Sequence, residues 1–328
     1  MKLTSIKKPS IIGAIAIIFA ASMWGLDGVV LRPHLYHLFD YVPVVVFCEH
    51  LIAFIFMMVF FAAAFMYGSK NTSEDIKGFK SLGIKDWSSF FWIALFGGAI
   101  GTMAITKALF HVNFEHLSAI VILQKLQPLF VILLSIIILK ERPKIQFYYW
   151  AAVALVGSYF ITFGFNAPVL AENKLFVASL FSLLAAFSFG SSTVFGKRVV
   201  SKISFRLATY IRFGLTSVLL IAIIAAITAI SEKSMFAGFF EIGIKEIIIM
   251  TIIALTSGGT AIFIYYYGLK RIMASKASIY ELGFPVTAVV LDYIVNNNIM
   301  GPGQWIGAVL IVGSMYMVTK LKQRGAES

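Results

Sequence analysis

The chain has 328 residues, of which 60% are hydrophobic and only 13% are charged. A soluble domain averages roughly 45–50% apolar and about 25% charged residues, so this composition excludes an ordinary water-soluble globule. The formal net charge is +12, but the few charges interrupt long apolar runs, and we do not predict nucleic acid as a partner. One cysteine, Cys48, excludes an intrachain disulfide, and the histidines show no zinc-binding spacing.

Ten apolar stretches are long enough to cross the hydrocarbon core of a membrane, about 30 Å, as helices. In chain order they lie near residues 11–32, 42–67, 88–110, 117–139, 145–165, 176–196, 207–230, 247–269, 275–296 and 303–320. The first stretch resembles a signal peptide, but its length and the lack of a convincing cleavage site favour a retained helix. The sequence therefore predicts an all-α integral membrane protein with ten transmembrane helices.

The distribution of Lys and Arg predicts the orientation of these helices. If the N-terminus is cytoplasmic, the inner segments hold twenty Lys and Arg residues and the outer segments hold four, namely Arg32, Lys174, Lys233 and Lys245. Cytoplasmic loops carry such an excess in membrane proteins. We therefore predict a multi-pass protein of the cell membrane with both termini in the cytoplasm.

The two halves of the chain share four sequence features in register. These pair residues 20–25 with 185–190, 95–98 with 255–259, Pro128 with Pro285, and 150–157 with 305–313. Because each half holds five helices, an odd number, the second half must lie inverted relative to the first. The sequence predicts two inverted five-helix repeats, residues 1–165 and 166–328, joined by an outer linker at 166–174.

Together these motifs resemble the drug/metabolite transporter superfamily, and within it the EamA-like family. The resemblance rests on the Trp-Gly of the first helix, the paired mid-helix prolines, the Lys-Glu-Arg at 140–142 and the Gly-rich last helix of each half. It covers about residues 11–320. It implies a solute carrier whose central cavity is lined mainly by helices one, three, four, six, eight and nine. Family members often place an arginine early in the second helix of each repeat; Arg212 fits, whereas the first repeat has Glu-His at 49–50.

Polar groups within the predicted helices are the candidate functional residues, because ionisable side chains are costly in lipid. The substrate-binding candidates are Trp24, Lys107, Gln124, Lys125, Gln127, Arg212, Tyr265 and Glu281. The gating or coupling candidates are Asp27, Glu49, His50, Pro128 and Pro285. The prolines are included because each removes a backbone donor and frees a carbonyl at membrane depth. A purely structural pair is the alternative for Lys125 and Glu281, as is a position at the membrane interface for Asp27.

The depth of these charges predicts how they pair. A rise of about 1.5 Å per residue puts the first-repeat charges in the outer half of the cavity and the second-repeat charges in the inner half. We predict that Asp27 and Glu49 balance Lys107 and Lys125, and that Arg212 balances Glu281. Glu281 is also the candidate proton carrier, because desolvation disfavours the charged form of a carboxylate.

The leading prediction for function is a secondary transporter that exports a small organic metabolite, such as an amino acid, by alternating access. A passive facilitator or channel is the second interpretation. An intramembrane enzyme is the third, but its one local residue pair, at 49–50, points about 100° apart on a helix. No catalytic constellation or phosphate cradle is present in the sequence, so we predict no enzymatic activity and no cofactor. The predicted partners are a small-molecule substrate, the lipid bilayer and protons as the coupling ion. Glycines at 303 and 307 suit close helix packing, within the monomer or in a dimer.

Overall fold

The structure is a computed structural model that describes residues 8–67, 70–112, 120, 123–166, 173–231, 234–297 and 299–321. These residues are helical, with turns and 3-10 segments between the helices, and they include no strand. The helices are α1 (Lys8–Leu26), α2 (Val42–Met66), α3 (Lys70–Lys80), α4 (Ile84–His111), α5 (Gln127–Ile138), α6 (Ile145–Phe163), α7 (Asn173–Val200), α8 (Phe205–Ile230), α9 (Ile244–Leu269), α10 (Ala274–Tyr280), α11 (Gly283–Asn296) and α12 (Pro302–Lys320).

Seven helical stretches in the described residues are long and apolar enough to cross a membrane, so the chain is a multi-pass membrane protein. The first, Ser10–Ala63, has 54 residues, which is more than twice the length that one crossing needs. It contains most of α1 and α2, which are joined by a π-helical turn, Asp27–Leu31, and a 3-10 segment, Arg32–Tyr41. The predicted fourth span, 117–139, is represented by the shorter helix α5, and residues 117–119 and 121–122 lie outside the described residues, as do residues 167–172 of the predicted linker.

The helices pack in a pattern that relates the two halves of the chain. Helix α1 packs against α9 and α11, and α7 packs in the corresponding way against α4 and α5. Helix α2 packs against α8, and α6 packs against α12. The first helix of the predicted first repeat, α1, thus packs on helices of the second half, and the first helix of the predicted second repeat, α7, packs on helices of the first half. The last two pairs join equivalent helices.

Helices α4 and α9 both contain a π-helical segment at a pair of glycines. The segments are Ile93–Ile100 and Ala254–Gly258. A Cβ on Gly97 would collide with Ser192 of α7, so the absence of a side chain lets the two helices approach closely. Segments of this kind are frequent at functional sites, because the wider turn leaves carbonyls free to accept other donors.

The two predicted mid-helix prolines each follow a break in a helix. The chain turns at residues 125–126 before Pro128 and at residues 281–282 before Pro285. Each proline then lies in the first turn of the next helix, where its missing N–H and fixed φ are tolerated. The breaks place Lys125 and Glu281 between helices rather than on them.

Glycines bring α6 and α12 into backbone contact. A Cβ on Gly307 would overlap the backbone of Gly157 and Ile161, and one on Gly303 would overlap Gly164. Gly164 itself ends α6 with a φ of +61°, a conformation that favours glycine. The 303/307 glycine pair therefore serves packing within the monomer.

Candidate functional site

A cavity of about 320 Å³ lies at the centre of the bundle. This volume is at the lower end of the range of small-molecule sites, roughly 300–1,000 Å³. Aromatic rings and charged or amide side chains share its lining: Trp24, Phe189, Phe213, Tyr265, Tyr266 and Phe284, with Asp27, Arg32, Glu49, His50, Gln124, Lys125, Gln127, Arg212, Glu281 and Asp292. The six helices implied by the family resemblance supply most of this surface. Helices α2 and α8 add the residues at 49–50 and Arg212.

Glu281 is the centre of one polar cluster. It lies at the break between α10 and α11, and it is buried. Tyr265 of α9 donates from Oη to its Oε1 at 2.6 Å, and Gln127 of α5 donates from Nε2 to its Oε2 at 2.5 Å. Thr193 of α7 hydrogen-bonds the Tyr265 hydroxyl at 2.9 Å. Both oxygens of the carboxylate are thus held by neutral donors from two other helices.

Lys125 reaches the same part of the cavity from the break before α5. Its Nζ lies 3.7 Å from the centroid of the Phe284 ring, which is within the range of a cation–π contact. Only 6% of the residue is exposed. The structure thus brings the two helix breaks face to face across the cavity.

Arg212 does not pair with Glu281, and the predicted ion pair is wrong. Its guanidinium donates from Nη1 to the Tyr266 hydroxyl at 3.3 Å and from Nη2 to the carbonyl of Gly97 at 3.1 Å. The Gly97 carbonyl belongs to the π-helical segment of α4. Tyr265 and Gln127 already donate hydrogen bonds to both oxygens of the Glu281 carboxylate, and Arg212 donates to a backbone carbonyl instead. Its Nε has no hydrogen-bond partner among the described residues.

Arg32 forms the second cluster, which the sequence analysis missed. It donates from Nη2 to Asp27 at 2.7 Å and to Glu49 at 3.3 Å, and from Nη1 to Thr106 at 3.1 Å. The prediction counted Arg32 as an outer charge, but a π-helical turn, Asp27–Leu31, carries the helical path on from α1 into the 3-10 segment, where Arg32 is buried. The signal available in the sequence was its spacing, five residues after Asp27.

The predicted pairing of Asp27 and Glu49 with Lys107 and Lys125 is therefore wrong as well. Arg32 donates to one oxygen of each of these carboxylates. Lys107 lies with its Nζ 5.2 Å from the Phe39 ring centroid, and it is not among the described residues that line the cavity. Lys125 contacts an aromatic ring rather than these acids.

Two aromatic contacts position further predicted residues. The indole of Trp24 donates from Nε1 to the carbonyl of Ser257 at 3.0 Å, and its ring lies 5.5 Å from that of Tyr265. His50 lies with Nδ1 2.9 Å from the carbonyl of Val46 and its ring 5.4 Å from that of Phe213. The indole is thereby fixed by the π-helical part of α9. Gln124 and Pro285 line the cavity, whereas Pro128 is buried in the first turn of α5.

Polar contacts cluster at one end of the bundle, and two of them, Lys202–Asp86 and Ala274–Glu141, join the two halves of the chain. Lys202 pairs with Asp86 at 2.6 Å, and Lys197 donates to the carbonyl of Leu269 at 2.9 Å. Glu141 accepts from the backbone N–H of Ala274 at 2.7 Å. The cavity lining extends away from these contacts, toward Asp292 near the end of α11 and Gln304 at the start of α12.

Comparisons with known proteins agree with this architecture. A model of the EamA-like transporter family matches residues 11–163 and again residues 176–320. The chain is 43% identical over 310 residues to the riboflavin transporter ImpX of Fusobacterium nucleatum subsp. nucleatum (strain ATCC 23726 / VPI 4351), covering 94% of this chain and 98% of that relative. A solved crystal structure superposes with a TM-score of 0.65 at 17% identity, covering 99% of this chain and 100% of the other, and shows a shared fold. The chain belongs to the EamA-like transporter family and is a membrane transport protein for small molecules.

Proposed function

We propose that this protein carries riboflavin, or a closely related flavin, across the cell membrane by alternating access around the central cavity. The observation that carries the proposal is the similarity to a riboflavin transporter along nearly the whole of both chains. Amino acids and export, expected from the sequence, stay predictions that the same assay tests.

The cavity chemistry suits a flavin. An isoalloxazine is a flat aromatic ring system with amide-like donors and acceptors on one edge, and riboflavin adds a chain of hydroxyls. Trp24, Tyr265 and Phe284 provide ring faces for stacking. The amides of Gln124 and Gln127 each offer both donors and an acceptor. Because riboflavin is uncharged near neutral pH, the buried ions of the cavity need not serve as its counter-charges.

We further propose that the chain is built from two inverted five-helix repeats, with ten transmembrane helices in all. Three features support this arrangement. They are the corresponding contacts that α1 and α7 make with the opposite half, the π-helical segments of α4 and α9, and the two matches to the family model. The starts of α4 and α9 also correspond. Gly83 donates to Asp86, and Gly243 donates to Glu246, in equivalent first turns.

Alternating access requires that one end of the cavity is closed while the other is reachable. The contacts of Asp86, Lys197 and Glu141 close the end that carries most of the Lys and Arg residues. With that end in the cytoplasm, as the charge distribution predicts, the structure corresponds to an outward-facing state. Transport then requires these contacts to break and the opposite end to close.

Counterflow in vesicles tests the proposal. Purified protein is reconstituted into liposomes loaded with unlabelled riboflavin, and entry of labelled riboflavin is followed at equal pH on both sides. We expect saturable entry that is stimulated by the internal riboflavin and unaffected by excess amino acids. Linear, unstimulated entry would favour a channel. Stimulation by internal amino acids alone would show that amino acids, not flavins, are the substrate class. Vesicles with one protein orientation give the preferred direction.

A matched pair of variants locates the site. Trp24→Phe removes an indole that lines the cavity, whereas Trp305→Phe changes an indole that is 59% exposed on α12. The first substitution is expected to raise the half-saturating concentration of riboflavin, and the second to leave it unchanged.

A further inference from the structure

The Arg32 cluster contains more buried negative charge than its one cation balances. Asp27 and Glu49 both contact Arg32 Nη2, at 2.7 and 3.3 Å, so their two oxygens lie within about 6 Å of each other. The side chain of Glu49 is 6% exposed and that of Asp27 is 15% exposed. With all three groups ionised, the cluster carries one net negative charge away from bulk water.

The hydrogen bonds of the cluster leave two carboxylate oxygens unsatisfied. Asp27 Oδ1 and Glu49 Oε1 are buried and have no hydrogen-bond partner within the part of the chain that the structure describes. Glu49 Oε1 lies 3.3 Å from Arg32 Nη1, but Nη1 directs its hydrogen bond to Thr106. An unpaired buried oxygen costs about 1–3 kcal/mol, and more when the group is charged.

The other charged groups near the cluster do not supply the missing positive charge. His50 and Cys48 flank Glu49 on α2, and His50 is directed at the Val46 carbonyl. Lys107 of α4 lies over Phe39, and Arg212 of α8 bonds Gly97 and Tyr266. The cavity also contains Asp292 of α11, which adds negative charge on that side.

One bound proton accounts for both the excess negative charge and the missing hydrogen-bond donor. Two carboxyl groups that share a confined site retain one proton between them, because the second ionisation would bring like charges together. That proton removes the net charge and provides the donor that an unpaired oxygen lacks. By contrast, both oxygens of Glu281, the carrier expected from the sequence, already accept hydrogen bonds.

We propose that the Asp27–Arg32–Glu49 cluster is the proton-coupling site of this transporter, an inference that rests on the proposed riboflavin transport. A carboxylate of the pair takes the proton from cavity water and returns it to water on the opposite side of the membrane. Arg32 joins the end of α1, α2 and, through Thr106, α4. Protonating one carboxyl weakens its pairing with Arg32, so proton occupancy changes how firmly these three elements are held at the mouth of the cavity.

The transport test uses a pH gradient without a membrane potential or a sodium gradient. If one proton moves with each uncharged riboflavin, a gradient of one pH unit gives about tenfold accumulation at equilibrium, since one unit equals 1.36 kcal/mol. Glu49→Gln is expected to reduce the accumulation ratio to about one while riboflavin counterflow at equal pH continues. Glu74→Gln, the same substitution on an exposed residue of α3, is expected to keep the tenfold ratio.

The outcomes separate this proposal from the proposed function. Wild-type counterflow without any response to the pH gradient overturns the proton site and leaves riboflavin transport standing. Accumulation driven by a sodium gradient instead, or loss of pH coupling in Glu281→Gln but not in Glu49→Gln, also overturns it. Absence of wild-type counterflow overturns the proposed function.

Infrared spectroscopy tests the site without any substrate. Purified wild-type protein at about pH 7 is expected to show the C=O stretch of a protonated carboxyl group. That band should disappear in Glu49→Gln or in Asp27→Asn and persist in Glu74→Gln. A wild-type spectrum without it, or a band unchanged in both cluster variants, would show that the cluster holds no proton.

Discussion

The hydrogen bonds of Glu141 provide a direct test of the contacts that we propose close one end of the cavity. Its carboxylate accepts three hydrogen bonds from the start of α10: from the N–H of Ala274 at 2.7 Å, and from the N–H and hydroxyl of Ser275 at 3.1 and 2.6 Å. Glu141 follows α5, whereas α10 belongs to the second half of the chain. The contact therefore ties the two halves together at the end of the cavity that we propose is closed.

The substitution Glu141→Ala removes all three bonds. Hydrogen bonds to a charged group contribute about 1.5–3 kcal/mol each when buried. Glu141 is half-exposed, and water replaces part of the loss, so we expect a total of about 2–3 kcal/mol. If the bonds are absent in the state that is open at this end, that amount shifts the conformational equilibrium roughly 30- to 150-fold toward opening.

Two probe cysteines measure the shift in a Cys48→Ser background. Ser278 of α10 is 1% exposed, and Ser278→Cys is expected to react with a maleimide much faster once Glu141→Ala is added. Val29 lines the cavity toward the other end, and Val29→Cys is expected to react more slowly. Glu74→Ala, on the exposed surface of α3, is the control. Unchanged reactivity at position 278, or equal acceleration at both probes, would refute the idea that this contact selects between the two states.

Three further predictions follow from the packing and the site. Lys202→Ala breaks an ion pair whose lysine is 53% exposed, so the same probe assay should shift less than about fivefold. Trp24→Phe reduces the aromatic surface proposed to stack on the flavin, a loss of about 1 kcal/mol, so riboflavin Kd from flavin fluorescence quenching should rise about fivefold, with Trp305→Phe unchanged. Gly307→Ala adds a Cβ that overlaps backbone and should lower the free energy of unfolding by about 1–3 kcal/mol in thermal denaturation, whereas Gly313→Ala, in open space, should not.

The positions of the helices could be read from the sequence, since apolar runs of membrane length leave few alternatives. The seven apolar stretches overlap eight of the ten predicted spans, with α1 and α2 in one continuous stretch. The prolines Pro128 and Pro285 were also visible, although the sequence predicted that they lie within continuous helices, whereas the structure has a break before each. Polar residues such as Trp24 and Glu281 were found because few environments in a membrane bundle tolerate them.

The partners of the charged residues could not be read in the same way. Pairing by charge and depth ignores neutral donors, and it is the hydroxyl of Tyr265 and the amide of Gln127 that hold Glu281. It also ignores backbone acceptors, such as the Gly97 carbonyl that holds Arg212. Arg32 was missed because counting loop charges treats every arginine between two spans as exposed, whereas the 3-10 segment keeps this one inside the bundle.

The two carboxylate clusters of the cavity differ in a way that suits different tasks. Glu281 receives a neutral hydrogen-bond donor on each oxygen, from two other helices. We expect such a carboxylate to hold the helix breaks in place around the cavity. Glu49 and Asp27 share a single cation, Arg32, and each retains an unpaired oxygen. We expect incomplete pairing to suit a site that exchanges a proton on every cycle, because protonating an unpaired oxygen breaks no hydrogen bond, whereas protonating a carboxylate that accepts a bond on each oxygen must break one.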